Sequence, residues 1–137
     1  MRRLVCSAAA ATVLFGLAAA TANAQADDVT VTPRFTHALP NLPGQALTAV
    51  EVEIAPGATP APHHHAGSVY VYVLSGTVRL GLKGEAPRLY HAGESFFEPP
   101  GATHAVSDNP SKTKPARLLA VFVAPTGATL TMPGEAK

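Results

Sequence analysis

The sequence has almost no cysteine, the residue that could cross-link it covalently. Among 137 residues there is one cysteine, Cys6, and it lies in an apolar segment near the start of the chain. A single cysteine excludes an intrachain disulfide, and the residues that follow this segment include no thiol. We therefore expect the stability of the folded protein to come from a packed core.

The chain also has little excess of charge of either sign. Without Arg2 and Arg3, eight lysines and arginines face nine acidic residues, a net charge of −1. The one local basic cluster, Lys112, Lys114 and Arg117, is interrupted by a proline and is typical of a solvated loop. Because phosphate binding needs a basic surface, nucleic acid is not an expected partner. The expected partners are a small molecule or a second copy of the chain.

The first 24 residues have the pattern of an export signal. A short positive region, Arg2 and Arg3, precedes an alanine-rich apolar stretch over residues 4–20, and residues 22–24 match the small-x-small rule for cleavage before Gln25. The apolar stretch is short for a membrane-spanning helix, which needs about 20 residues, so no stable anchor is expected after cleavage. We predict that residues 1–24 are removed and that the protein is periplasmic or secreted.

Residues 25–137 predict a single all-β domain. They suffice for one core and are too few for two. The chain has 13 prolines and 11 glycines, placed mostly between short apolar runs, which argues against long helices. Eight strands are predicted, over residues 47–54, 69–74, 78–82, 88–91, 95–98, 104–107, 116–123 and 129–132. Strands of this number and spacing are typical of a sandwich or a jelly-roll barrel.

The alternation of side chains predicts which of them face the core. Successive residues of a strand point to opposite faces, so Tyr70 and Tyr72 should point away from the valines between which they lie. The run at 118–123 contains no polar residue, which predicts a strand buried on both faces. The side chains expected to face inward are Val69, Val71, Val73, Phe96 and Phe97.

The strongest functional signal is the run His63-His64-His65. In an extended segment His63 and His65 point to the same side about 6.6 Å apart, so that both rings can approach one ion. The turn at residues 99–101 delivers His104 to the start of another apolar segment, where it becomes the third donor. We predict a divalent metal site made of His63, His65 and His104; a surface tract that binds metals loosely is the alternative. Three other histidines are not expected to be ligands: His37, His64 and His91.

These residues resemble the two motifs of the cupin family. The motifs run Gly57-x5-His63-x-His65 on to Gly76, and Gly93-x5-Pro99-x-Gly101-x2-His104. The resemblance implies a small antiparallel barrel of the double-stranded β-helix, or jelly-roll, type. It also implies that a metal ion is bound inside this barrel by the residues at positions 63, 65 and 104.

The chain departs from the family pattern at two places. The glutamate that usually completes the first motif falls on Val69, and the asparagine of the second motif falls on Asp108, with Asn109 beside it. Without the glutamate, three neutral imidazoles leave a divalent ion its full charge of +2, which favours anionic, chelating substrates. Glu98, next to the Pro99 turn, is a candidate substitute acid, but its facing does not follow from the sequence.

Two function classes are consistent with these residues. Some cupins that rely on three histidines are dioxygenases, and the resemblance implies a metal-dependent oxidoreductase acting on a small chelating organic substrate. With iron(II), three protein ligands leave room for substrate and dioxygen; with zinc, hydrolytic chemistry is also open. The alternative is a non-enzymatic metal or small-ligand binding protein. The metal (Fe, Mn, Zn, Cu or Ni) and any catalytic residue stay unassigned, and a homodimer through Tyr70 and Tyr72 is expected.

Overall fold

The computed structural model describes residues 28–135, and the predicted export signal lies outside them. The described part of the chain forms strands and turns, and none of its segments is a helix that could cross a membrane. The ten strands are β1 (Val29–Ala38), β2 (Gln45–Ile54), β3 (His63–His65), β4 (Ser68–Ser75), β5 (Thr77–Leu82), β6 (Arg88–His91), β7 (Ser95–Glu98), β8 (Thr103–Asp108), β9 (Ala116–Pro125) and β10 (Thr131–Pro133). The predicted all-β class is therefore confirmed.

The strands form two antiparallel five-stranded sheets. The first sheet has the order β1-β2-β9-β4-β7, and the second has the order β10-β3-β8-β5-β6. The core lies between them, and its fully buried members include Val69, Val73 and Val78. This is the double-layered barrel that the sequence predicts, with β1 and β7 as the edges of the first sheet.

The chain passes from the second sheet to the first between β3 and β4, directly beside the histidine run. Gly67 lies in this crossing, and a Cβ built on it would overlap the backbone carbonyl of Val123 in β9. Only glycine fits so close a backbone approach. The contact holds the end of β3 against the central strand of the opposite sheet.

All eight predicted strands agree with the structure to within two residues at each end, and the last of them, at 129–132, corresponds to β10. β3 is not among the predicted strands, although residues 63–65 were expected to be extended, and the prediction missed β1 entirely. Pro33 interrupts its alternation, and the register with β2 shifts between Pro33 and Phe35. Such a proline is tolerated at a sheet edge, which is where β1 lies.

Two predictions of facing are corrected by the structure. Phe97 is 60% exposed rather than part of the core, because it alternates with Phe96, which packs against the core. Leu119 and Val121 in β9 are only half-buried, so the face of this strand that points away from the core is partly solvated. Tyr70 and Tyr72 point outward as predicted, and both are exposed. The homodimer stays a prediction.

Candidate metal centre

Two neighbouring strands of the second sheet bring three histidines together. His63 in β3 lies directly opposite His104 in β8, and His65 is two residues further along β3, on the same face. One ring nitrogen from each of the three lies within 4.8 Å of the other two. The rings of His63 and His104 are stacked, with centroids 4.8 Å apart. The structure thus assembles the three residues that the motif spacing singles out.

Backbone carbonyls orient two of these rings. Nδ1 of His63 lies 3.0 Å from the carbonyl oxygen of Ala61, and Nδ1 of His65 lies 3.0 Å from that of Leu130. A carbonyl oxygen can only accept a hydrogen bond, so in the neutral ring Nδ1 carries the proton and Nε2 carries the lone pair. This is the arrangement that metal-binding histidines use in proteins.

Burial keeps the same two imidazoles in their neutral form. Desolvation lowers the pKa of both His63 and His65 below the ordinary value, and it outweighs the opposing influence of the nearby Glu98 carboxylate. Neutral imidazoles are the form that coordinates metal ions. The two side chains are therefore ready to act as ligands near neutral pH.

A buried carboxylate enters the same site from the first sheet. Glu98, at the end of β7, is 2% exposed, and its Oε2 lies 2.6 Å from Nε2 of His104 and 3.5 Å from Nε2 of His65. Despite these short distances, Oε2 has no hydrogen bond of suitable direction within the described residues, and neither has Nδ1 of His104. A buried acceptor beside imidazole nitrogens, without a hydrogen bond of its own, suits a bound cation.

The site opens into an apolar cavity of about 390 Å³. Its walls are mostly aliphatic and include Val69 and Val71, as the alternation predicts, together with Phe96. The ring of Phe122 packs edge-on against His65, with centroids 5.2 Å apart. Apart from the histidines and Glu98, the polar side chains that line the cavity within the described residues are those of Ser107 and Thr131. This lining suits a small ligand with an apolar body and a polar end.

The remaining histidines lie away from the cluster. Nδ1 of His64 contacts the carbonyl oxygen of Gly134 at 3.0 Å. His91 pairs with Glu94 at the surface, and His37 is exposed on β1. None of them belongs to the group of side chains that could hold an ion.

Glu98 is the site residue whose position the sequence left open. The signal that could have placed it is the alternation in β7, where Phe96 and Glu98 share one face and Phe97 takes the other. With both phenylalanines assigned to the core, that alternation gave no facing for Glu98. A carboxylate that joined the three histidines would reduce the expected charge of +2 to +1.

Asn109 explains the other departure from the family motif. It is 1% exposed, and its Nδ2 donates to the carbonyl oxygens of Ile54, Ala55 and Lys114 at 3.1, 3.2 and 2.8 Å. Its neighbour Asp108 faces Arg79 instead, in a paired contact at 2.8 and 2.9 Å. The amide thus lies one residue beyond its usual motif position and ties the end of β8 to the end of β2.

The donor set fits a divalent ion. Imidazole nitrogens together with a carboxylate oxygen suit first-row metals such as manganese, iron and zinc, which this mixture does not discriminate. The unpartnered oxygen of Glu98 and the carbonyl-oriented rings of His63 and His65 are the observations that support the fit. A metal ion is the cofactor that this site suggests.

A two-sheet barrel with interior histidines defines the class of protein, and comparison with known sequences gives the family. The family model of the cupin domain matches residues 50–122, more than half of the chain. The chain therefore belongs to the cupin family, as its motifs predict. It is also similar to the germin-like protein 3-1 of rice (Oryza sativa subsp. japonica), with 37% identity over 71 residues that cover 48% of this chain and 32% of that protein.

Solved structures show the same fold. An oxalate oxidase in complex with the substrate analogue glycolate has a TM-score of 0.58 and 23% identity, over 78% of this chain and 56% of that one. The DMSP lyase DddQ of Ruegeria pomeroyi DSS-3 has a TM-score of 0.56 and 22% identity, over 66% of this chain and 44% of that one. The chain thus spans about a third of the length of the rice protein and about half of the length of these enzymes.

Proposed function

We propose that this protein is an exported, metal-dependent oxidoreductase of the dioxygenase-like kind, acting on a small chelating organic substrate. His63, His65 and His104 hold the ion, and the apolar cavity beside them holds the body of the substrate. When bound, a redox-active ion would supply electron transfer and Lewis-acid chemistry at this point. The protein's own residues orient the ligands and exclude water.

The observation that carries this proposal is the convergence of three imidazoles, two of them oriented by backbone carbonyls, on an apolar cavity. A structural metal site closes around its ion, whereas a catalytic site keeps positions open toward a pocket. Here the histidine nitrogens line a cavity of about 390 Å³, which is within the range of small-molecule sites. The space is suited to a ligand that reaches the ion directly.

The comparisons support this class without selecting a substrate. One similar structure is an oxalate oxidase with glycolate bound, and another is a DMSP lyase. Oxalate and glycolate are small carboxylates, which a cationic site among apolar walls would attract. A small carboxylate or another oxygen chelator is accordingly the substrate class that we propose.

Oxygen consumption by the metal-loaded protein tests the proposal. The mature protein is loaded with Fe²⁺, Mn²⁺ or Cu²⁺ and offered oxalate, diketones, thiols and flavonols, with oxygen uptake as the readout. Activity should appear with at least one pair and disappear in His104→Ala, while His91→Ala, an exposed histidine outside the site, should keep it. Tight metal binding without turnover across the panel would contradict the oxidoreductase and favour the second candidate.

That second candidate is a non-enzymatic protein that binds a metal or a small ligand. The observation in its favour is the apolar wall of the cavity, because within the described residues the polar side chains that line it, apart from the histidines and Glu98, are only Ser107 and Thr131. It predicts a ligand that binds to the loaded protein, detected by calorimetry, and that is released unchanged.

Export is a separate part of the proposal. Its support is the pattern of residues 1–24, a short basic start followed by an alanine-rich apolar stretch. Mass spectrometry of the protein from the periplasm or medium should find a chain that begins at Gln25. A cytoplasmic protein that retains Arg2 and Arg3 would contradict it.

A further inference from the structure

We infer, given the metal site proposed above, that Glu98 binds the ion directly and supplies from β7 the carboxylate that β4 lacks at position 69. The ligand set of three histidines would then be completed by a carboxylate from β7, the strand that pairs with β4. The register of these strands, the burial of the carboxylate and its distances to the histidines each support this assignment.

The register places the two positions side by side. β4 and β7 are antiparallel neighbours, and Val69 is directly opposite Glu98. Side chains at opposed positions share one face of a sheet, with their Cβ atoms about 4.5–5.5 Å apart. Both residues are buried and both line the cavity. An acid at position 98 can therefore reach nearly the same space as an acid at position 69.

The carboxylate of Glu98 has no other evident counter-charge. Within the described residues neither lysine nor arginine lines the cavity, and Oε2 has no hydrogen-bond partner there. A buried carboxylate is costly unless it is paired with a charge or coordinates a metal.

The distances place the carboxylate beside two of the three histidines. Two ligand atoms that each lie about 2.1 Å from one metal ion are at most about 4.2 Å apart, and Oε2 of Glu98 lies 2.6 Å from Nε2 of His104 and 3.5 Å from that of His65. Glu98 is not part of the histidine group whose donors all lie within 4.8 Å of one another, so binding the same ion as His63 requires the carboxylate to move toward that ring. The competing interpretation, a structural ion pair between Glu98 and a protonated His104, predicts a directed hydrogen bond that the pair lacks.

Replacing the carboxylate by its amide separates the two interpretations. In Glu98→Gln the affinity for Mn²⁺, measured by titration calorimetry on the mature protein, should fall by at least the roughly 10–100-fold that loss of an outer-sphere partner costs. The loss should be larger for Mn²⁺ than for Zn²⁺, because manganese prefers oxygen ligands. The metal-free variant should melt no lower than the wild type, since a buried charge has been removed. Glu53→Gln, an exposed acid in the same sheet, should change neither quantity.

Moving the acid across the ladder is the sharper test. Glu98→Val alone should lose Mn²⁺ affinity, and the double variant Val69→Glu, Glu98→Val should regain most of that loss while keeping the circular dichroism of a folded β protein. Unchanged Mn²⁺ affinity in Glu98→Gln, or a folded double variant that binds no better than Glu98→Val, would overturn the assignment. Mn²⁺ binding that survives in a His63→Ala, His104→Ala variant would instead overturn the metal site itself.

Discussion

The two sheets of this barrel differ in regularity and in what they contribute to the site. The first sheet contains three strands of ten residues, β1, β2 and β9, and most of the aliphatic core, whereas the second contains two strands of three residues, β3 and β10. All three histidines come from the second sheet, and the buried acid comes from the first. The first sheet supplies most of the apolar core, and the second sheet supplies the histidine donors.

The difference shows why the histidines need partners outside their own strands. A three-residue strand has few ladder hydrogen bonds with which to fix a side chain, and the rings of His63 and His65 are instead held by the carbonyls of Ala61 and Leu130. An ion bound by these rings and Glu98 would join the two sheets at one point. Its binding should therefore stabilise the weaker sheet most.

The largest loss of stability is expected from a substitution in the core of the first sheet. Phe122→Ala removes a 4% exposed ring that packs against both the core and His65, and it should lower the free energy of unfolding by about 3–5 kcal/mol in urea denaturation. Val121→Ala, on the half-buried outer face of the same strand, should cost clearly less. Equal losses would show that the two faces of β9 contribute equally to stability, which would contradict the assignment of the core to its inner face.

Removing the metal should have the next largest effect. At a free ion concentration 1,000 times its dissociation constant, binding stabilises the folded protein by about 4 kcal/mol. Chelation should therefore lower the melting temperature, and hydrogen exchange should increase more in β3 and β8 than in β2 and β9. A uniform increase over both sheets would contradict a local link between them.

Asn109 should have a smaller effect, confined to the junction of the two sheets. Asn109→Ala leaves the carbonyl oxygens of Ile54, Ala55 and Lys114 without their side-chain donor, and unsatisfied buried groups of this kind cost about 1–3 kcal/mol. Asn41→Ala, an exposed asparagine, is the matched control and should change little in thermal unfolding. A loss of stability no larger than that of the control would show that Asn109 does not stabilise the junction of the two sheets.

The smallest expected effect is the pH dependence of the metal-free protein. Desolvation lowers the pKa of His63 and His65 in the folded state, so below about pH 6.5 the unfolded chain binds more protons and stability falls. Melting temperatures should decline as the pH drops from 7.5 to 5.5, and His63→Gln should flatten the slope. A stability that rises over this interval would mean that the folded protein favours the charged imidazoles.

Much of this architecture could be predicted from the sequence because it depends on short-range patterns. Alternation located most strands, and the spacing of the two motifs selected His63, His65 and His104, which the structure brings together. These features depend on residues a few positions apart, so they can be read from the chain directly.

The features that escaped prediction depend on pairing between distant strands. β1 was missed because Pro33 breaks its alternation and because its partner β2 is what stabilises it. Glu98 could not be assigned because β7 has two adjacent phenylalanines, either of which could face the core. Its position opposite Val69 follows only from the β4–β7 register.

The central claim is that one ion binds between the sheets, and the metal content of the native protein tests it most directly. Elemental analysis of the protein from its native compartment should find one first-row metal ion per chain in the wild type and none in the His63→Ala, His104→Ala variant. A wild type and a variant that both lack metal, or that retain it equally, would contradict the claim.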